Sequence, residues 1–140
     1  MSVDFIDSNV LLYLFDETAP AKRATAESLI HQALEAGSAV ISHQVVQETL
    51  NVLTTKMRPA ATPEQARRFL DSVLVPLWRV MPNAGLYHRA IDLRVRYGFS
   101  FYDALIVAAA LEFGCTRLLT EDLQDGQRIE NLVIRNPFKG

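Results

Sequence analysis

Short apolar runs alternate along the chain with longer amphipathic segments, and turn-forming or capping residues mark nearly every junction. Val3–Ile6 reads as a strand ending at Asp7-Ser8-Asn9, three residue types that favour helix N-termini, so a short helix is expected over Val10–Phe15. Pro20 opens a second helix that runs to Ala36 and closes at Gly37. Ala39-Val40-Ile41 is the next strand, and Ser42 caps a helix over Gln44–Met57. Thr62-Pro63-Glu64-Gln65 is a capping box with proline at the first helical position, opening a helix to about Leu74. Leu77–Met81 is a third strand. Asn83 caps a helix that stops before Gly98, and Tyr102–Phe113 is another that stops before Gly114. Arg117-Leu118-Leu119 forms a fourth strand, Thr120–Gln127 a polar loop, and Leu132-Val133-Ile134 a fifth strand.

Strands alternating with helices argue for an α/β sandwich around a mostly parallel sheet. In such sheets ligands bind beyond the carboxyl ends of the strands, near the point where strand order reverses. The residues just after the first and fourth strands therefore carry the most interest, and both stretches hold aspartate: Asp7 and Asp122.

Composition narrows the class. The 140 residues suit one domain, expected to span 1–140, and 49% are hydrophobic, which excludes disordered and collagen-like chains. The longest apolar run, Ala104–Leu111, falls far short of the ~20 residues that span a bilayer, so no membrane partner is expected. The first residues lack the basic start and apolar stretch of a secretory signal, and the lone Cys115 has no disulfide partner, so a cytoplasmic location is expected. The net charge of −2 argues against a polyanionic partner at first sight. Yet all but three of the basic residues are arginine, whose planar fork suits phosphate. Setting four carboxylates aside as metal ligands also leaves a slightly positive remainder.

Four carboxylates have distinctive placements. Asp7 directly follows the first strand, where it also serves as a helix cap. Glu48 sits mid-helix at the edge of an apolar arc, about 40° from Val52 at 100° per residue. Asp103 stands in the first turn of a helix that is apolar around its circumference until Glu112. Such a helix is buried, so a carboxylate at its mouth needs a partner. The nearest lysines in sequence, Lys56 and Lys139, are far from it. Asp122 follows the fourth strand, with Glu121 and Asp125 as competitors. Taken singly, each has a bland reading as a cap, a solvated boundary residue or an acidic loop. Gathered on one rim, they would raise each other's pKa values unless cations intervened. Oxygen-only ligands select hard ions, Mg²⁺ or Mn²⁺, and His31, His43, His88 and Cys115 show no zinc-ligand spacing.

The stretches Phe5-Ile6-Asp7-Ser8-Asn9-Val10-Leu11-Leu12-Tyr13, Gln47-Glu48-Thr49-Leu50-Asn51, Phe101-Tyr102-Asp103-Ala104-Leu105-Ile106 and Leu119-Thr120-Glu121-Asp122-Leu123, in this order and spacing, resemble the PIN-domain ribonucleases. More narrowly, they resemble VapC-type toxins of toxin–antitoxin modules. The resemblance covers the whole chain. It implies a three-layer α/β/α sandwich around a five-stranded, mostly parallel sheet ordered 3-2-1-4-5. It also implies an acidic quartet of Asp7, Glu48, Asp103 and Asp122, both catalytic and metal-binding, that holds one or two Mg²⁺ or Mn²⁺ ions. Ser8, Asn9 and Thr120 fit the supporting positions. Where many relatives follow the fourth acid with Asp-Phe, this chain has Leu123-Gln124-Asp125-Gly126, which leaves the part of Asp125 open.

The resemblance further implies a metal-dependent endoribonuclease, an RNA substrate, a homodimer and a small antitoxin partner. The alternative is a non-catalytic PIN-fold module for RNA binding or docking. Two other α/β phosphate chemistries fail on single positions. A haloacid-dehalogenase-type phosphatase needs aspartate where Asn9 stands, and a receiver domain needs a phospho-accepting aspartate where Met81-Pro82 follow the third strand. Leu50, Leu53, Met57, Phe69, Leu70, Val73 and Leu74 exceed what one helix pair must bury, so an apolar groove over this pair is expected to take the antitoxin.

Overall fold

The computed structural model describes residues 2–139; Met1 and Gly140, the ends of the expected 1–140 domain, lie outside them. In chain order the elements are β1 (Asp4–Ile6), α1 (Ser8–Leu12) continued by a 3₁₀ turn over Tyr13–Phe15, α2 (Pro20–Ala36), β2 (Ala39–Ser42) and α3 (His43–Thr55). Then follow α4 (Pro63–Phe69), a π-helical turn over Leu70–Leu74, α5 (Val75–Leu77), β3 (Trp78–Val80), α6 (Ala84–Tyr97) and α7 (Phe101–Phe113). The chain ends through β4 (Arg117–Leu119), β5 (Arg128–Ile129) and β6 (Leu132–Arg135).

The helix boundaries follow their capping chemistry. Gly37, Gly98 and Gly114 terminate α2, α6 and α7 in the left-handed conformation that glycine adopts without steric cost. Both halves of the Thr62–Gln65 capping box are formed. Ser100 rather than Phe101 caps α7, its hydroxyl accepting from the Asp103 N–H at 3.2 Å, so the helix starts one residue earlier than its apolar pattern suggests. The helix expected from Thr62 to Leu74 changes to π geometry at Leu70 and continues into α5, which ends at Leu77.

The sheet has the order β3-β2-β1-β4-β6-β5. Its five main strands are parallel and reproduce the expected 3-2-1-4-5 order, β6 being the fifth strand anticipated from Leu132–Ile134. A sixth strand, β5, pairs antiparallel with β6 at the edge. Two residues long and bounded by polar loop, it carries too little periodicity to be seen in the sequence. Its return turn holds Glu130 at a positive φ of 54°. All four residues of β2 are buried, and because successive side chains point to opposite faces, helices must cover the sheet on both sides. One core cluster joins the strands to Val10, Leu11, Leu53 and the run Ala104–Ala110 of α7. Strand order reverses between β1 and β4, which places the residues after both strands on one crevice.

Candidate active site

Asp7 leaves β1 at this crevice. Its N–H still donates to the Leu119 carbonyl at 3.0 Å, extending the β1–β4 pairing, while its side chain turns to cap α1. Oδ1 accepts from the Ser8 N–H at 2.8 Å, and Oδ2 accepts from the Thr120 hydroxyl at 2.9 Å. The expected cap and the expected site residue are thus one side chain. Asp7 is buried, and that desolvation pushes its pKa up from 3.8 to about 6 against the lowering effect of both hydrogen bonds, with the negative charges of Glu48 and Asp122 adding to the rise.

Glu48 arrives from the middle of α3, half-buried at the edge of the helix's packed face. Its pKa is raised, chiefly by burial, and the charges of Asp103 and Asp122 push the same way. Ser8 Oγ donates to its Oε1 at 3.4 Å and Gln44 Nε2 to its Oε2 at 3.2 Å. Asp103 lies in the first turn of α7, where the helix dipole favours negative charge. Asp122 follows β4, exposed, and its backbone N–H donates to Thr120 Oγ at 3.2 Å. The four carboxylates expected from the sequence therefore come from four separate elements and act on one another electrostatically.

Asn9 knits the β1 and β4 sides together. Its amide donates to Thr120 Oγ1 and Asp122 Oδ2, both at 3.0 Å, and reaches Asp7 Oδ2 at 3.4 Å. The Glu121 N–H donating to Asn9 Oδ1 at 3.2 Å fixes which way the amide points. The competing loop acids are accounted for elsewhere. Glu121 turns away to an ion pair with Lys22 and a hydrogen bond from Tyr13, and its carboxylate pKa is lowered. Asp125 accepts from the Asn136 N–H at 2.9 Å, fastening the loop to the end of β6. Sequence reasoning missed Gln44, which donates both to Glu48 and to the Tyr102 carbonyl at 3.1 Å, tying α3 to the start of α7. Its position one turn before Glu48 on the same helix was the available signal.

The donor set suits a hard divalent cation: carboxylate and hydroxyl oxygens, and no lysine, arginine or histidine ion-paired to Asp7, Glu48, Asp103 or Asp122 among the described residues. The acids line the rim rather than close on a point. Among the described residues no three histidine, cysteine, aspartate or glutamate side chains converge closely enough to hold an ion together. Among the described residues, no helix is long and apolar enough to cross a membrane.

A parallel sheet whose order reverses beside an acidic crevice defines the doubly wound α/β class, in which ligands bind at that switch point. Within that class, the PIN domain family model matches residues 5–128, and the chain belongs to the PIN domain family. Solved structures share the fold. A toxin–antitoxin complex from Klebsiella pneumoniae is similar with a TM-score of 0.68 and 24% identity, over 96% of this chain and 97% of that one. VapBC2 from Rickettsia felis, bound to a DNA fragment from its promoter, gives 0.69 and 19% over 96% and 98%. VapC20 from Mycobacterium tuberculosis, described as a Sarcin-Ricin loop cleaving toxin, gives 0.58 and 24% over 85% and 91%. Comparison with curated protein sequences gives no match.

Proposed function

We propose that this chain is a VapC-type endoribonuclease that hydrolyses RNA phosphodiester bonds with Mg²⁺ or Mn²⁺, and that it is held inactive by a small antitoxin. One observation carries the reading: Asp7, Glu48, Asp103 and Asp122 share one rim, with raised pKa values at Asp7 and Glu48 and no basic side chain paired to the four among the described residues. A buried carboxylate left in that state is costly to the fold unless a cation or substrate group compensates it.

Asp7, Glu48, Asp103 and Asp122 are the residues that would hold the metal. When bound, such an ion supplies an acidified water, a template for in-line attack and neutralisation of charge developing on the phosphate. Asp7 is the fixed member, gripped by Ser8 and Thr120. Asn9 and Thr120 keep Asp122 in reach of it, and Gln44 and Ser8 orient Glu48. The raised pKa values of Asp7 and Glu48 reflect burial that disfavours their charged forms, which a bound cation would favour. The recessed rim requires a backbone free of a regular duplex, so single-stranded or looped RNA is the fitting substrate.

The similarity to toxin–antitoxin complexes supports an antitoxin partner. So does the shallow groove of about 320 Å³ between α3 and α4, where Leu50 and Leu70 stay half-buried while Leu53, Phe69 and Leu74 are covered. Ile91 and Val95, exposed one turn apart on α6, offer a second apolar surface for a homodimer. The decisive experiment is cleavage of short single-stranded RNA with Mg²⁺ or Mn²⁺ and with EDTA. Cleavage abolished by EDTA supports the reading, and full activity in EDTA sinks it. On a cleavage-dead variant, binding should weaken with salt by a log–log slope of about −0.7 per phosphate contacted. Light scattering and co-purification with a neighbouring gene product test the two associations.

A further inference from the structure

Beside the acidic rim lies a pocket of about 220 Å³ of different chemistry. Tyr87, Phe101 and Tyr102 form one part of its lining, and aliphatic and polar side chains form the rest. The Tyr87 and Phe101 rings lie nearly parallel, 9° apart, and Tyr102 meets Phe101 edge-on. Tyr87 and Tyr102 are 42% and 66% exposed, large ring surfaces left to solvent where a soluble chain would ordinarily bury them. Among the described residues lining it there is no aspartate, glutamate, lysine or arginine, so it is not built for a phosphate or a metal. Polar capacity is nevertheless present. Gln44 Oε1 and His43 Nδ1, on two of the lining residues, are buried without a hydrogen-bond partner.

The pocket and the rim share residues. Gln44 lines the pocket and donates to Glu48, and Tyr102 immediately precedes Asp103. A group seated in the pocket is thus next to the carboxylate rim. We propose that this pocket takes one unstacked nucleobase of the RNA next to the scissile phosphate, packing it against the exposed rings of Tyr87 and Tyr102 beside Phe101. The proposal rests on the nuclease reading and adds to it a determinant of where along a strand the chain cuts. A flat heterocycle matches a pocket with exposed aromatic rings and no aspartate, glutamate, lysine or arginine among its described lining residues. Aromatic platforms hold bases of any identity because every base has a π-face, and each bulged or single-stranded base can be splayed to reach one.

The test is an abasic scan of a short single-stranded RNA that the protein cuts, replacing one base at a time by hydrogen. The expected result is one position next to the cut where base removal lowers kcat/KM about tenfold, mainly through KM. In the double variant Tyr87→Ala with Tyr102→Ala that ratio should collapse to about one, and in the double variant with phenylalanine at both positions it should persist. Comparing intact with abasic RNA on each variant cancels any general loss of activity. A flat scan, or a ratio unchanged by the alanines, overturns the proposal. A second readout needs no cleavage: in metal-free Asp7→Asn protein, free adenosine or cytidine should shift the ring resonances of Tyr87, Phe101 and Tyr102. Shifts produced by an apolar peptide but by no nucleoside would assign the pocket to a protein partner and overturn the proposal. If no RNA is cut yet nucleosides shift these rings, the nuclease reading fails while the base pocket stands.

Discussion

The two ends of β1 carry the same residue in opposite circumstances. Asp4 opens the strand and is clasped by Arg117 across the β1–β4 pairing, with Nε to Oδ1 at 2.9 Å and Nη2 to Oδ2 at 2.7 Å. Asp7 directly follows the strand, more deeply buried, faces Glu48 and Asp122 and is ion-paired to no cation among the described residues, and burial raises its pKa to about 6. The same contrast recurs one residue apart after β4, where Glu121 is paired with Lys22 and Asp122 accepts from the neutral Asn9 amide. A carboxylate whose counter-charge is built into the fold serves the fold. One whose counter-charge is missing is a place for something the chain does not itself provide.

The sharpest way to break this comparison is to neutralise one acid at each end of β1. Asp7→Asn should lower RNA cleavage by more than about 100-fold, since even the residues around metal ligands typically cost 10–100-fold. Asp103→Asn should do the same, and Asp4→Asn should leave the rate nearly unchanged. Initial rates on one RNA, with circular dichroism as a folding control, decide the matter, and equal losses at both ends would erase the distinction. Next in size is the effect of metal on stability. Mn²⁺ at about 100 times its Kd should stabilise the protein by about 2.7 kcal/mol, seen as a raised Tm, and this gain should vanish in Asp7→Asn.

The third expectation concerns proton linkage. Asp7's folded pKa of about 6 lies above its ordinary 3.8, so between these values the native state binds a proton that the unfolded chain has released. Stability without metal should therefore fall as pH rises from about 4 to 6, and the cost should persist above that. Asp7→Asn removes it, and should make the metal-free protein about 1–2 kcal/mol more stable at pH 7. The gain is smaller than the raised pKa alone implies, because an asparagine amide cannot accept from both Ser8 and Thr120. Below about pH 4 the advantage should disappear. Denaturant melts of both proteins at three pH values check the sign, and a variant less stable at pH 7 would contradict it. The smallest effect belongs to the clasped end. Arg117→Ala should cost only about 0.2–1 kcal/mol, because the guanidinium is half-exposed, and it should leave cleavage untouched.

Much of this molecule is written in local chemistry. Pro20 and Gly37 bound a helix, Thr62 and Gln65 cap one another, and Asn83 and Gly98 bracket α6, because caps and left-handed glycines act within a few residues and need no distant partner. The mostly parallel α/β sheet also follows once short apolar runs are seen to alternate with helices, whereas its strand order came from the family resemblance, and the edge strand β5 escapes because two residues cannot carry a period. The placement of Asp7 after β1 and of Asp122 after β4 was legible for the same reason, since a parallel sheet dictates where strand ends meet. What each acid does was not. Glu121, Asp122 and Asp125 are indistinguishable in sequence, and only the packed chain sends the first to Lys22, leaves the second on the rim and ties the third to the Asn136 N–H. The aromatic pocket likewise draws Gln44 from α3, Tyr87 from α6 and Tyr102 from α7. Burial, counter-charge and the meeting of distant side chains are set by tertiary contacts, so local sequence supplies the candidates and the folded neighbourhood decides which of them are left without a partner.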